Sequence, residues 1–319
     1  MQSNRPNRKN PPILNDNISR LLRSGDFVPK KFEGSDRFLD IISWNIKFFN
    51  DRDPKRVENI RIIMQELNAD IFVLQEIEDG ALDVIADMLT TSGAGLYKTA
   101  YGTTGGDQRV AFVYDMEWVK ASTDVEELFA LEDLMVQVGD TEKVVFPRLP
   151  LSATFTAYKE DEPFDFNLVG VHLKSQRGGG QEQRIAAANR LAEWIQDEAT
   201  DEDVIIAGDW NAPPERPEWE PLRQLEADGE LKFISFNKSG KTVEPSYLSV
   251  GNRRSRLDLI VVSSSVPEAD IQQTARVVNW NVLLEEGSSA QTKATLESLI
   301  ENISDHLPVL ARFYFIDTD

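Results

Sequence analysis

The residues best suited to chemistry in this sequence stand at the ends of apolar stretches or interrupt them. They are Asn45, Glu76, His172, Asp209, Asn211, Asp258, Asp305 and His306. Carboxylates and amide oxygens are typical ligands of hard divalent cations, and imidazoles transfer protons near neutral pH. Strand ends of a rigid sheet can direct such side chains at one point. The pattern predicts a site that combines a metal ion with acid–base chemistry.

Histidine usage strengthens this interpretation. The chain has only two histidines, His172 and His306, and both belong to the set above. A single histidine at a strand end is more often a hydrogen-bonded structural residue. Here the surrounding segments, VGVHLKS and SDHLPV, favour a functional role instead.

Apolar and β-branched runs predict the strands that would position these side chains. The expected strands cover residues 38–46, 69–76, 109–115, 151–158, 164–173, 203–209, 257–263 and 307–315. Helical spacing predicts helices that begin at Pro54, span residues 81–89, continue to Trp194 and lie near residues 291–302. Several neighbouring strands must be antiparallel, which predicts an α/β fold of two packed sheets with helices outside.

The domain organisation follows from the same survey. No linker separates two self-sufficient halves, so we expect one catalytic domain over residues 36–319. Residues 1–35 are rich in Asn, Arg and Pro, and we interpret them as an N-terminal extension outside the central fold. Its apolar patch, Ile18, Leu21 and Leu22, fits one or two helical turns.

Composition narrows the possible functions. The chain has 319 residues, a formal net charge of −20 and no cysteine, so any metal must be held by oxygen or imidazole. Such ligands favour Mg²⁺, Mn²⁺ or Ca²⁺ over a structural zinc. The charge argues against a protein that coats nucleic acid by bulk electrostatics, but it allows an enzyme with a local basic patch.

The sequence also bears on membranes and localisation. It contains no apolar run approaching the roughly 20 residues that span a bilayer. Its polar, basic start lacks the apolar stretch of a signal peptide. We expect a soluble chain without stable membrane association, and no protein partner is implied. Localisation stays open, since a signal removed before residue 1 would leave the same sequence.

Six segments resemble the ordered motif series of the endonuclease/exonuclease/phosphatase superfamily. They are WNI at 44–46, LQE at 74–76, HLKS at 172–175, GDWNA at 208–212, RLDLI at 256–260 and SDHLPV at 304–309. All six stand in the family's order and extend over most of the chain. The resemblance implies a four-layer α/β/β/α sandwich of two mostly antiparallel sheets flanked by helices, with the site at one edge of both sheets.

The resemblance is greatest to the deoxyribonuclease I-like branch. A histidine at position 172 is similar to deoxyribonuclease I, sphingomyelinases and 5-phosphatases, whereas abasic endonucleases usually carry a tyrosine there. The segment DQRVAFVYD resembles a motif in which Glu-Arg precedes a strand, with Gln108 in place of the glutamate and Arg109 retained. In the family this glutamate orients the histidine that corresponds to His172. Gln108 could accept the same hydrogen bond, but it would stabilise an imidazolium less than a carboxylate does.

The resemblance and the residue chemistry together suggest a metal-binding set. Asn45, Glu76 and Asp305 would hold the cation, Mg²⁺ by preference, with water completing the shell. Glu76 is the first choice because a buried glutamate is costly unless it is paired or bound to a cation. Asn45 fits a turn equally well.

The remaining polar residues would carry out acid–base catalysis. His306 would be the general base that activates water, and Asp258 would orient its ring. His172 would protonate the leaving oxygen or stabilise the pentacovalent phosphorane. Asp209 and Asn211 would position water and phosphoryl oxygens, although Asp-x-Asn after a strand is also a common turn.

Basic residues near the motifs would bind the substrate phosphate. They are Arg109, Lys174, Arg177, Arg254 and Arg256, with Arg184 farther along the chain. In so acidic a chain this clustering favours a basic rim that grips a phosphate backbone. A solvated basic loop is the alternative.

Three functional hypotheses follow. The first is a metal-dependent endonuclease that cleaves DNA by in-line attack of an activated water. The second is a phosphatase or phosphodiesterase acting on inositol phosphates or sphingomyelin-like substrates, and the third is an inactive family member that serves as a binding scaffold. The lack of a long apolar insertion disfavours the lipid substrate, and the complete Glu, Asp and His set disfavours the scaffold.

Overall fold

The computed structural model describes most of the chain. The described residues are 14–130, 134–158, 163–176, 180–234, 244–251, 254–266, 275–284 and 289–315. They form two large mixed sheets, one of six strands and one of seven, and a separate two-stranded hairpin. The hairpin consists of β7 (Met135–Val138) and β8 (Thr141–Val144).

The first large sheet is built around the strand that carries Asn45. Its order is β14 (Arg276–Val277), β15 (Val309–Phe313), β1 (Leu39–Phe49), β2 (Ile71–Ile77), β4 (Arg109–Asp115) and β3 (Tyr97–Tyr101). Strands β1 and β2 are parallel, and the other neighbours in this sheet are antiparallel. The C-terminal ends of β1 and β2 therefore lie at the same edge.

The second large sheet has a similar plan. Its order is β12 (Leu231–Phe233), β13 (Asp258–Ser263), β11 (Val204–Asp209), β10 (Phe164–His172), β9 (Leu151–Ala157) and β5 (Val119–Ala121), and β6 (Glu126–Glu127) also pairs with β9. Strands β10 and β11 are parallel, and the remaining pairs are antiparallel. Again one parallel pair brings two C-terminal strand ends together.

Helices cover the outer faces of both sheets. They are α1 (Asp16–Ser24), α2 (Pro54–Leu67), α3 (Asp83–Thr91), α4 (Gln181–Asp197), α5 (Glu220–Asp228), α6 (Asn281–Leu284) and α7 (Ser289–Asn302). Buried side chains of α4 and α5 join one face of the second sheet in a single cluster. Those of α1, α2, α3 and α7 join the first sheet and the inner face of the second. The layers confirm the predicted four-layer sandwich. No described helix has the length and apolar character that crossing a bilayer requires.

Local sequence signals explain where helix α2 begins and ends. Asp53 caps it by accepting from the backbone N–H groups of Lys55 and Arg56, and Pro54 occupies the first turn. Asn68 ends it in the left-handed conformation, at φ 46°. Residues 117–142 lie outside the strands and helices that the sequence predicts, yet their described part contributes the edge strands β5 and β6 and most of the β7–β8 hairpin.

The described part of the N-terminal extension packs into the core. Ile18, Leu21 and Leu22 on α1 are buried in the same cluster as the first sheet. Asn15 precedes the helix, and its backbone N–H donates to the Ser298 hydroxyl on α7 at 3.0 Å. The interpretation of residues 1–35 as lying outside the central fold therefore needs correction for residues 14–35. The domain boundary at residue 35 stays a prediction.

Glu66 on α2 makes the attachment of this segment depend on pH. Its carboxylate accepts the backbone N–H of Val28 at 2.7 Å. Burial raises the pKa of Glu66 from 4.5 to about 7, against hydrogen bonds from the backbone of Val28 and Phe27. Because the folded pKa exceeds the unfolded one, the stabilising effect is complete below pH 4.5 and is lost as the pH rises toward 7.

We expect Glu66→Gln to raise the free energy of unfolding by about 1 kcal/mol at pH 8, because no charge then has to be buried. At pH 4 the gain should vanish, since the native carboxyl group is already protonated. Chemical denaturation at both pH values measures the difference. Glu193→Gln, on the exposed face of α4, is the matched control. Equal stability changes at both pH values would contradict the assignment.

Candidate active site

Three predicted residues meet at one edge of the second sheet. His172 ends β10 opposite Asp209, the last residue of β11. Asp209 in turn stands opposite Asp258, the first residue of β13. All three are buried, at 3%, 2% and 0% exposure. The strand register therefore places one imidazole and two carboxylates side by side, as the motif segments predict.

Asn45 connects this edge to the first sheet. Its Nδ2 donates to the Asp209 carboxylate at 3.1 Å and to Glu76 Oε1 at 3.3 Å. Its Oδ1 accepts the backbone N–H of Lys47 at 2.9 Å. Asn45 thus makes the turn contact that we considered as an alternative, and it also joins the two carboxylates of the site.

Glu76 is placed by a bulge in β2. The register between β2 and β4 shifts at Glu76, which is the extra residue between Gln75 and Ile77, and its backbone lies in the left-handed region at φ 62°. Its Oε2 accepts the backbone N–H of Phe48 at 3.1 Å. Lys47 and Phe48 also have positive φ angles, 32° and 49°. Such conformations cost roughly 1–3 kcal/mol each in non-glycine residues, so the surrounding structure must hold them.

Arg56 on α2 supplies much of that support. Its Nη2 donates to the carbonyl oxygens of Ile46 and Lys47, each at 2.7 Å, and to that of Ile303 at 2.9 Å. Its Nη1 reaches the carbonyl of Phe48 at 3.3 Å. Burial lowers the pKa of Arg56 to about 10, so the group stays charged at neutral pH. One guanidinium therefore fastens the strained end of β1 to the segment that leads into Asp305.

His306 and Asp258 form the expected pair. His306 Nδ1 lies 2.8 Å from Asp258 Oδ2. Burial alone would lower the pKa of His306, but the carboxylates of Asp258 and Asp209 outweigh it and raise the pKa. The backbone is fixed as well, because Trp44 Nε1 donates to the His306 carbonyl at 2.9 Å and the His306 N–H donates to the Ser304 hydroxyl at 3.1 Å.

Both histidines approach the same carboxylate oxygen. Asp209 Oδ2 lies 3.6 Å from His172 Nε2 and 4.0 Å from His306 Nε2. Burial raises the pKa of Asp209, although the charge of His306 opposes the shift. Asn211, at φ 58°, donates to Asp209 Oδ2 at 3.1 Å and to the Leu173 carbonyl at 3.1 Å. Asp209 is therefore the geometric centre of the site.

His172 differs from His306 in its environment. Its Nδ1 is buried and has no hydrogen-bond partner within the described ranges. Burial lowers its pKa well below 6.5, and the positive charges of Arg148 and His306 act in the same direction. Gln108, expected to orient this ring, instead accepts a hydrogen bond from Arg148 Nη2. The lowered pKa favours the neutral ring, and the role of His172 toward the leaving oxygen stays a prediction.

Arg148 is a site residue that the sequence analysis missed. It is only partly exposed, and burial lowers its pKa while the charges of Glu76 and Asp209 raise it. The side chain also packs on Gly105, where an added Cβ would lie 2.4 Å from Arg148 Cγ. The segment VFPRLP has neither a charge cluster nor a strand-end pattern, so nothing in it marks Arg148 as functional.

The predicted phosphate-binding residues separate into groups. Lys174 lies near Arg148. Burial is the largest cause that lowers the pKa of Lys174, and the positive charge of Arg148 is the next largest. Arg254 is exposed. Arg109 donates to the carbonyl of Gly102 at 2.8 Å and lies 3.3 Å from the Asp79 carboxylate, so it braces the loop before β4. Arg177 lies outside the described residues.

Two further arginines have structural contacts, which corrects their assignment to a phosphate-binding rim. Arg256 is 2% exposed, and its guanidinium donates to the carbonyl oxygens of Asp258 at 2.6 Å and Ala275 at 3.1 Å. Arg184 is 3% exposed and pairs with buried Glu218 at 2.9 Å. A long basic side chain can satisfy its donors on buried carbonyls or a buried carboxylate, and here both do.

The donor set fits a divalent cation. Asp209, Asp258 and His306 each offer a ligand atom within 4.8 Å of the others, a group that could hold a metal. However, a protonated His306 hydrogen-bonded to Asp258 has no free lone pair for a metal. The carboxylates of Glu76 and Asp209, which share the Asn45 amide, are better suited to a hard cation. Asp258 Oδ1, buried without a partner in the described residues, also indicates that the site is completed by another group.

Asp305 pairs with Lys47. Its Oδ2 is 3.6 Å from Lys47 Nζ, and 22% of its side chain is exposed. The Asn45 side chain directs its NH₂ group toward the carboxylates of Glu76 and Asp209, so in this structure it acts as a hydrogen-bond donor. The metal-binding roles of Asn45, Glu76 and Asp305 stay predictions.

Comparison with known proteins places this geometry in a family. A sequence profile described as "Endonuclease/Exonuclease/phosphatase family" matches residues 42–306. The chain belongs to that family. The matched range begins within β1 and ends at His306, so it contains every predicted catalytic and metal-binding residue. No curated protein gives a match.

Solved structures of this family share the fold. The endonuclease/exonuclease/phosphatase from Bacteroides vulgatus has a TM-score of 0.59 at 14% identity, over 88% of this chain and 99% of that one. The human nocturnin catalytic domain, solved with a bound sulfate anion, gives 0.58 at 16% identity, over 91% and 99%. Truncated TDP2 from Caenorhabditis elegans gives 0.53 at 18% identity, over 89% and 99%. At these identities the likeness shows the fold alone.

Family membership establishes the general class of chemistry. The endonuclease/exonuclease/phosphatase family consists of phosphoester hydrolases that depend on a divalent metal, and this chain has a buried acidic and histidine group able to bind one. The particular substrate and metal belong to the proposal below.

Proposed function

We propose that this family member hydrolyses phosphodiester bonds in DNA as a Mg²⁺-dependent endonuclease. The observation that carries the proposal is the convergence on Asp209 Oδ2. Both histidines lie within 4.0 Å of this atom, and Asn45 joins it to Glu76. Acid–base groups and cation-binding carboxylates therefore surround one point where a phosphorus atom could sit.

The proposed mechanism assigns the base to His306. A cation bound to Asp209 would offset one of the charges that raise the pKa of His306 and so favour the neutral ring. In its neutral form His306 removes a proton from the attacking water, and Asp258 stabilises the imidazolium that results. Asp209 and Asn211 orient the water and the phosphoryl oxygens. Arg148 offsets the negative charge that spreads over these oxygens in the transition state, with Lys174 adding to the positive potential. His172 donates a hydrogen bond to the leaving oxygen.

A cation held by Glu76, with Asp209 and Asp305 nearby, would polarise the phosphoryl oxygen and stabilise its developing charge. Mg²⁺ is the first choice because the donors are oxygens, and Mn²⁺ or Ca²⁺ could take the same ligands. Arg177 and Arg254 remain candidates for contacts with the rest of a nucleic acid backbone, whereas the guanidinium of Arg109 is held by the Gly102 carbonyl and Asp79.

A metal-dependent cleavage panel tests the substrate. Purified protein with Mg²⁺, Mn²⁺ or Ca²⁺ is incubated with supercoiled plasmid, and nicking is followed on gels. Release of phosphate from inositol phosphates and of phosphocholine from sphingomyelin is measured alongside. We expect plasmid nicking with Mg²⁺. If the protein hydrolyses only inositol phosphates or sphingomyelin, its substrate is one of these and not DNA. If it hydrolyses none of the tested substrates, the result favours a binding scaffold.

Arg148→Met should lower kcat/KM for DNA cleavage by about 10²-fold, because it removes a positive charge aimed at the phosphoryl oxygens but keeps an unbranched apolar stem. Arg109→Met is the matched control, since that guanidinium is bound to backbone carbonyls and Asp79. Steady-state kinetics on a fluorogenic oligonucleotide compares the two. A larger loss for Arg109→Met than for Arg148→Met would reverse the assignment.

A further inference from the structure

A cavity of about 230 Å³ lies next to the candidate base. Its walls come from the segment around residue 247, from the chain that follows β14, and from α6 and α7. The apolar wall residues are Tyr247, Leu248, Val277, Leu283, Leu296 and Leu307. Its volume is below the roughly 300 Å³ of the smallest sites for drug-sized ligands. The cavity therefore suits a single ring-sized group.

Tyr247 connects this cavity to the catalytic histidine. Its ring centroid lies 5.2 Å from that of His306, at an interplanar angle of 68°. Two backbone contacts keep the walls in register with the site: the N–H of Leu248 donates to the Asp305 carbonyl at 2.6 Å, and that of Leu307 donates to the Ser246 carbonyl at 2.7 Å. One aromatic ring thus separates the cavity from the atoms that would activate water.

The polar groups of the cavity are few and varied. Asn279 is partly buried, and its side-chain amide makes no hydrogen bond within the described residues. Arg254 and Glu244 are exposed at the margin. An amide offers a donor and an acceptor side by side, which matches the edge of a nucleobase. Aromatic and aliphatic walls suit the flat faces of the base, and a guanidinium suits a neighbouring phosphate.

We propose that this cavity is a subsite for one nucleobase of the substrate, adjacent to the scissile phosphate. The inference rests on the proposed function and narrows it to substrates that carry a base. A nucleotide places its base one sugar away from its phosphorus, and the cavity lies one ring width from His306, so a sugar that passes beside Tyr247 would connect a base in the cavity to a phosphate at the site. Inositol phosphates and phosphocholine have no flat heteroaromatic group to fill these walls.

Filling the cavity tests the proposal without touching the catalytic groups. Leu283→Trp would occupy the space, whereas Leu284→Trp places the same side chain at the neighbouring position of α6, which is 58% exposed and does not line the cavity. Isothermal titration calorimetry in Mg²⁺ measures Kd for AMP, for ribose 5-phosphate and for inorganic phosphate with the full chain and with each variant.

The wild-type protein should bind AMP about tenfold more tightly than ribose 5-phosphate, the difference expected from stacking and pairing one base. Leu283→Trp should abolish that difference and leave ribose 5-phosphate binding unchanged, and Leu284→Trp should retain it. Equal binding of AMP and ribose 5-phosphate by the wild-type protein would overturn the proposal. An AMP preference that survives Leu283→Trp would also overturn it.

A second variant covers the case in which Leu283→Trp fails to fold. Asn279→Leu keeps the branched shape of the side chain but removes the amide, so AMP should bind several-fold more weakly while ribose 5-phosphate is unaffected. Equal weakening of both ligands would mean that the amide acts on the fold and not on the base. Because these are binding measurements, they remain informative if no phosphodiester is cleaved. Suppose that the wild-type protein cleaves no phosphodiester but prefers AMP, and that Leu283→Trp loses this preference. The base subsite would then be supported and the proposed activity would be rejected.

Discussion

His306→Ala is expected to lower kcat by about 10³-fold, the size of a general-base contribution. The reason is geometric: His306 Nδ1 is bound to Asp258 at 2.8 Å, which leaves Nε2 directed toward Asp209 at 4.0 Å, where the attacking water would be held. Folding should be preserved, because the contacts of His306 with Ser304 and Trp44 use only its backbone. Steady-state kinetics and thermal unfolding of the purified variant measure the two effects.

Added imidazole distinguishes a lost base from a lost structure. In His306→Ala it should restore part of the activity, because a free imidazole can enter the space left by the ring and accept the proton. Asp258→Asn is the companion variant, since it keeps the shape of the pair but cannot stabilise an imidazolium. If His306→Ala retains more than a tenth of wild-type activity, or loses its fold, the assignment of His306 as base is wrong.

Glu76→Gln is expected to lower kcat/KM by about 10³-fold, or about 4 kcal/mol of transition-state stabilisation. A glutamine can still accept the N–H of Phe48 and keep the bulge in place, but it loses the charge that would bind the cation. The concentration of Mg²⁺ needed for half-maximal activity should rise as well.

The matched control is Glu78→Gln, two residues farther along the same loop, where the carboxylate is paired with Arg52 at 2.5 Å near the surface. Thermal unfolding with and without Mg²⁺ provides a readout that does not depend on turnover, since a ligand that binds only the folded state raises its melting temperature. Mg²⁺ should stabilise the wild-type protein and Glu78→Gln, but not Glu76→Gln. Equal stabilisation of all three would place the metal elsewhere.

The central residues of the candidate site could be predicted because they are polar residues in otherwise apolar strand segments. Polar Asn45, Glu76 and His172 end apolar runs, and a sheet with parallel neighbours brings such ends together. The same logic located Asp209 and Asp258, which the strand register places opposite each other. These positions follow from local sequence and from the alternation of a strand.

The basic residues could not be predicted in the same way. Arg148, Arg184 and Arg256 have long side chains whose direction depends on which carbonyl or carboxylate lies nearby in the fold. Arg256 is two residues from Asp258, yet it turns into the interior and binds backbone oxygens. Gln108 illustrates the same limit, because Arg148, forty residues farther along the chain, takes the oxygen expected to face His172. When the tertiary fold determines which group a side chain contacts, the local sequence does not indicate that contact.

The hydrogen bond between Trp44 and the carbonyl of His306 spans 262 positions of the chain. Arg56 makes a similar long connection to Ile303, across 247 positions. A nascent polypeptide that ends at residue 303 therefore contains five of the six motif segments and Arg56, but it lacks His306, the proposed base. The proposed base therefore joins the candidate site only late in synthesis, when β15 pairs with β1.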